Sequence, residues 1–177
     1  MKNNIDKQAE NVVQLLTEIN KKAATAESCT GGLISAAITS VSGSSLVFDM
    51  GICSYANVIK EEKLGVPKED LEKYGAVSMQ VAMAMAKGVM LAAGSDFGVS
   101  TTGIAGPGGG TEEKPVGTVW IGVCGRNGSP KAERFLFKTE DCPENTSERE
   151  YIRQQAVLKA LELLENEIRA EIRIFAS

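Results

Sequence analysis

The stretch Ala24-Thr25-Ala26-Glu27-Ser28-Cys29-Thr30-Gly31-Gly32 sets two nucleophile types side by side, ahead of a glycine pair. Ser28 and Cys29 can each attack a carbonyl carbon, given a base that takes the proton. The chain contains no histidine. That excludes a Ser-His-Asp triad, a Cys-His dyad and any imidazole-bound metal. A hydrolase built on this chain must draw its base from Lys, Tyr, Asp, Glu or a held water. A strand, a tight turn and a glycine-led helix would set Ser28 or Thr30 near a helix N-terminus. Free backbone N–H groups there favour an anion or a developing oxyanion. The plainer reading is that one of the two caps the helix and the glycines allow close packing. There is no GxSxG elbow to decide between them.

Candidate bases follow in Ser54-Tyr55-Ala56-Asn57-Val58-Ile59-Lys60. A lysine serves as a base when burial lowers its pKa. Lys63 competes with Lys60, but its neighbours Glu61 and Glu62 mark a solvated face, and a surface lysine is the default for both. The Tyr55–Lys60 gap does not match the YxxxK of short-chain dehydrogenases. The third chemical stretch is Thr102-Gly103-Ile104-Ala105-Gly106-Pro107-Gly108-Gly109-Gly110-Thr111. Its glycines invite a phosphate-loop reading, yet no GK[ST] and no following helix support a Walker or dinucleotide loop. A glycine-rich connection between strands can still press its backbone against a ligand. Arg149 and Arg153 lie one helical turn apart and could bind a carboxylate or phosphate, or simply form a solvated face.

The elements that must hold these groups read as an α/β pattern. Residues 5–22 form an amphipathic helix, and Ala23–Ala26 a short strand of small residues. Residues 33–41 are a second helix, and 50–56 have strand character. Asn57 is read as the cap of a short helix, and Pro67 sits in the first turn of the next. Residues 78–93 form a long apolar helix from Ser78. Residues 96–103, 116–125 and 131–138 are strands, the last two a hairpin, and a helix covers about 146–173. The expectation is a single domain over 1–177: a three-layer α/β/α sandwich with a mixed sheet of about five strands. The 177 residues suffice for one core, and a formal charge of −4 argues against non-specific nucleic-acid binding. The start lacks an apolar leader and no run is long enough to span a membrane. The four cysteines fit reduced thiols in a cytoplasmic protein rather than a disulfide framework.

Taken in order, TAESCTGG, Y.N..K..LGV, GAVS..VA, TGIAGPGGGT..KPVGTV and R..A...AL resemble the CinA C-terminal domain (competence/damage-inducible protein) family over about residues 8–165. Active members are nicotinamide-nucleotide amidohydrolases of the PncC type. The chain resembles the stand-alone form. The resemblance implies deamidation of nicotinamide mononucleotide to nicotinate mononucleotide and ammonia, as part of pyridine nucleotide salvage, with no metal or organic cofactor. It assigns the nucleophile to Ser28 and the base system to Lys60 and Tyr55. It implies an oxyanion site at the N–H groups around Thr30, Gly31 and Gly32. Asn57, Gly103, Gly106, Gly108, Gly109, Thr111, Arg149 and Arg153 become substrate-binding candidates, the arginines for the phosphate. A homodimer is expected, from the resemblance and from the apolar 78–93 helix. Departures are Val58-Ile59 where Glu-Ala is common, Met79-Gln80 for two acids, and SERE for GDRE before the last helix. The apolar pair beside Lys60 would help desolvate it, or would simply pack. A non-catalytic, ligand-binding member of the family is the competing reading.

Overall fold

The computed structural model describes residues 1–140 and 142–175. The elements run α1 (Lys2–Glu18), β1 (Ala23–Glu27), α2 (Leu33–Thr39), β2 (Phe48–Cys53), α3 (Asn57–Leu64), α4 (Lys68–Tyr74), α5 (Met79–Ala93), β3 (Phe97–Gly103), β4 (Thr118–Gly125), β5 (Lys131–Leu136) and α6 (Glu148–Phe175). The strands form one sheet in the order β2-β1-β3-β4-β5. β1 runs parallel to both of its neighbours, while β4 is antiparallel to β3 and to β5. This is the expected five-strand mixed sheet between helical layers.

Crossovers between parallel strands are right-handed. The chain leaves β1, moves to β2 on one side, then passes back over β1 to β3 on the other. Those opposite steps put their helices on opposite faces. α2 accordingly joins α1 and α6, whereas α3 and α4 pack with α5. Loops leaving the ends of β1 and β2 therefore head toward opposite helical layers.

Strand alternation divides the core between the two faces. Ala23, Phe97, Val99, Val119, Ile121 and Val123 face α1 and α6, meeting Val12, Leu16, Ile152, Leu161 and Leu164. Ala24 and Ala26 face the other layer, with Leu64, Val81, Met85 and Val89. β1 is buried along its whole length, which explains its small residues. Half of the apolar run expected to offer a subunit face is spent inside the chain, with Val81, Ala82, Met85, Ala86, Val89 and Met90 of α5 buried and Met79 and Leu91 exposed.

Two boundaries differ from expectation. Asn57 is the first residue of α3, while extended Ala56 holds the cap position with no side-chain cap. Pro67 likewise stands at the cap of α4 rather than inside its first turn. Ser78 behaves as its type dictates, its hydroxyl accepting from Val81 N at the start of α5.

One helical glycine decides how α3 is seated. A Cβ on Gly88 of α5 would fall 1.9 Å from Leu64 O, one turn after Lys60 on α3. Alanine there would gain about 1 kcal/mol of helix propensity, yet it would force two backbones apart. We expect Gly88→Ala to destabilise the fold by about 1–3 kcal/mol net, read as a lower urea midpoint at unchanged slope. Gly108→Ala, whose Cβ meets nothing within 4 Å, should stay within about 0.5 kcal/mol of the parent. Equal midpoints for the two variants would refute the close-contact argument.

Candidate active site

The site begins where β1 ends. Glu27 is fully buried, and its carboxylate collects five hydrogen bonds. One oxygen accepts from Thr30 Oγ1 at 2.7 Å, Gly32 N at 2.9 Å and Ile34 N at 3.1 Å. The other accepts from Ser35 N at 2.9 Å and Ser35 Oγ at 2.7 Å. The first turn of α2 leaves its N–H groups without intrahelical partners, and an anion is favoured there. Glu27 is that anion. Neither Ser28 nor Thr30 caps α2 by side chain. Sequence reasoning missed Glu27 because capping signals are sought one to three residues before a helix. This acid reaches its helix across a turn in which Gly31 and Gly32 take φ of +61° and +95°.

That turn is pinned from other directions too. Ser28 N donates to Thr101 O of β3 at 2.9 Å. With its proton on Glu27, the Thr30 hydroxyl accepts from Thr101 Oγ1 at 2.7 Å. On the outside, Arg153 Nη2 donates to Thr30 O at 2.8 Å. The N–H of Gly32 is occupied by Glu27, so it does not face a ligand. Among the described residues no protein acceptor is paired with the N–H of Thr30 or Gly31.

Ser28 and Cys29 part company here. Cys29 is 5% exposed and belongs to the apolar core. Burial pushes its thiol up to about 12, so at neutral pH it is an inert thiol. Ser28 is half-buried and faces Lys60.

Lys60 is the other half of the site and is 1% exposed. Its Nζ lies 2.6 Å from Ser54 O, 3.3 Å from Tyr55 O and 3.2 Å from Ser28 Oγ. The carbonyls come from the loop after β2, and Ser54 N in turn donates to Glu27 O at 2.8 Å. Burial lowers the lysine pKa from its ordinary 10.5, because the charged form loses water. Val58 contributes little to this, being 53% exposed, and Ile59 is half-buried. Lys63, the competing lysine, is exposed in the last turn of α3.

The remaining candidates fall into two groups. Arg149 Nη1 donates to Gly106 O at 2.7 Å, and its Nη2 to the Tyr55 hydroxyl at 3.3 Å. Tyr55, Gly106 and Arg149 thus meet, and Tyr55 alone links this group to Lys60 through its carbonyl. The Tyr55 ring is 68% exposed and reaches Lys60 only through its carbonyl. No hydrogen bond joins its hydroxyl to Ser28 or Lys60 among the described residues. Gly103 closes β3 against Thr118 and Val119, while Gly108 and Gly109 are exposed. Thr111 is turned into its own loop, pairing with Lys114 through N–H and hydroxyl. Asn57 is exposed and makes no side-chain hydrogen bond among the described residues. Those residues also contain no cluster of three or more Cys, Asp or Glu able to hold a metal, and no helix long and apolar enough to cross a membrane.

Known proteins share this arrangement of sequence and fold. The model of the CinA C-terminal domain matches residues 5–168. The nicotinamide-nucleotide amidohydrolase PncC of Enterobacter agglomerans is 50% identical over 137 residues, 77% of this chain and 79% of that protein. A CinA-like protein of Akkermansia muciniphila is 48% identical over 151 residues, which are 85% of this chain. They are only 36% of that relative, so the chain spans about a third of its length. The crystal structure of the competence/damage inducible protein CihA from Agrobacterium tumefaciens superposes with a TM-score of 0.84 at 41% identity, covering 91% of this chain and 93% of that one. The chain belongs to the CinA C-terminal domain family.

Proposed function

We propose that this chain is a nicotinamide-nucleotide amidohydrolase that converts nicotinamide mononucleotide and water to nicotinate mononucleotide and ammonia. The observation that carries this reading is the buried Lys60 Nζ at 3.2 Å from Ser28 Oγ. The name and identity of the Enterobacter relative supply the substrate.

The geometry suits a neutral amine as base. Two N–H bonds of Lys60 point at the Ser54 and Tyr55 carbonyls, which leaves the lone pair for the Ser28 proton. Ser28 Oγ attacks the carboxamide carbon as its proton moves to Lys60. The oxyanion is met by the N–H groups of Thr30 and Gly31. Collapse breaks the C–N bond, and Lys60 returns the proton to the departing ammonia. Water, deprotonated by Lys60, then hydrolyses the acyl-enzyme and frees Ser28. Tyr55 and Arg149 serve the mouth of the site. Arg149 takes part in no ion pair among the described residues, so its charge is available to the substrate phosphate. Arg153 is committed to Thr30 O and acts on the turn instead. The assembly we expect is a homodimer, on family resemblance alone, working in the cytoplasm.

Ammonia release from nicotinamide mononucleotide tests this. Ser28→Ala should lower kcat by at least about a thousandfold, and Cys29→Ser should remain within about tenfold of the parent. Binding of the mononucleotide without any ammonia release would favour the non-catalytic alternative.

The pH dependence has a definite sign. A lysine base works when deprotonated, so the rate should climb with pH and level off above an apparent pKa lying below 10.5. That pKa belongs to the Ser28–Lys60 pair. A rate flat from about pH 6 to 9, with chemistry limiting, would count against Lys60 as base.

Arg149→Ala should raise KM about tenfold with kcat nearly unchanged, because a phosphate contact is made equally before and during reaction. A fall in kcat at constant KM would place Arg149 on the reacting atoms.

A further inference from the structure

We infer that Glu27 is the positioning residue of this site: its side chain sets the nucleophile turn, and its main chain sets the lysine. This rests on the Ser28–Lys60 reading above and adds a residue that neither the motif roles nor the comparisons assign.

The geometry runs in two directions from one residue. The carboxylate gathers Thr30 Oγ1, Gly32 N, Ile34 N and both donors of Ser35, which fixes the turn immediately after Ser28. The Glu27 carbonyl accepts from Ser54 N at 2.8 Å, and Ser54 O then receives Lys60 Nζ at 2.6 Å. Nucleophile and base are thereby referred to the same residue. Arg153, donating to Thr30 O from the far side, completes a clamp around the turn.

The same contacts say where the oxyanion goes. A helix N-terminus is an obvious anion site, but here its N–H groups are filled from within by Glu27. The N–H groups left for developing charge on the substrate lie upstream of α2, and we assign it to those of Thr30 and Gly31. Those two N–H groups aim correctly only while the turn keeps its shape. Gln in place of Glu27 cannot reproduce it. Its NH₂ would face either the backbone N–H of Ser35 or those of Gly32 and Ile34, so at least one hydrogen bond becomes a clash of donors and a neighbouring hydroxyl must turn to accept.

The decisive measurement is the rate at which an alkyl fluorophosphonate labels Ser28. In that step Oγ bonds to phosphorus, fluoride leaves and the serine proton passes to Lys60. The readout depends on serine and lysine geometry, not on the identity of the amide. Parent, Glu27→Gln, Glu27→Asp, Ser35→Ala and a Ser28→Ala blank are compared well below the lowest melting temperature, across pH. We expect Glu27→Gln to label at least about tenfold more slowly, with the midpoint of the pH limb unmoved. Asp, which keeps the carboxylate, should recover part of the rate, and Ser35→Ala should cost a few-fold.

A purely structural role would lower the melting temperature and leave the labelling rate of folded protein alone. Labelling of Glu27→Gln within about twofold of the parent overturns the inference. If Glu27→Gln fails to fold, Ser35→Ala and Glu27→Asp decide the matter, and parental rates in both overturn it. A parent that labels yet releases no ammonia from nicotinamide mononucleotide refutes the substrate and leaves Glu27 standing. A parent that does not label refutes the Ser28 reading and this inference together.

Discussion

A carboxylate is expensive to bury, and Glu27 is buried completely. It is tolerated because five donors converge on it, three of them from the unpaired start of α2. Remove that convergence and the helix loses its cap, the Ser28–Gly32 turn loses its inner anchor, and Thr30 loses the partner that orients its hydroxyl. The two left-handed glycines make sense only in this context. They let the chain double back over an acid that already occupies the space in front of the helix. A single buried charge thus dictates the local shape from which the chemistry is assembled.

Topology supplies the second requirement. The reversal of direction between β1 and β2 parts their loops at one end of the sheet. Ser28 comes from the loop that leads into the layer shared with α1 and α6. Lys60 enters from the α5 layer, on a helix held close by Gly88. Neither residue's own element could place both groups. Burial suits the lysine to the role of base on energetic grounds, since hydration that would hold its proton is gone. The same withdrawal from water disarms Cys29 by the opposite effect on a thiol. One physical cause, desolvation, thus pushes the lysine toward its neutral form and keeps the buried thiol protonated.

Much of this was readable from the chain itself. Periodicity and turn residues located all five strands and the major helices, because small residues in β1 and the apolar stripe of α6 leave little choice. Without histidine, the base had to be Lys, Tyr, Asp, Glu or a held water, and it was the family resemblance that pointed to Lys60 and Tyr55. What could not be read depended on long-range contacts. Asn57 looks like a cap by type, yet extended Ala56 takes that position. Arg149 and Arg153 share a helix face, but one meets Gly106 and Tyr55 while the other grips Thr30, which spacing alone cannot distinguish. Glu27 was hidden because its partners lie up to eight residues ahead, across a turn whose shape only the fold reveals.

The grip of Arg153 on Thr30 has a consequence in time as well as space. The nucleophile turn is made early in synthesis, but its outer restraint comes from α6, which follows all five strands. A nascent polypeptide carrying Ser28, Lys60 and even the whole sheet still lacks that restraint until α6 leaves the ribosome and docks. Any fragment cut short before α6 carries the motif without the Arg153 contact that holds the Thr30 carbonyl from outside.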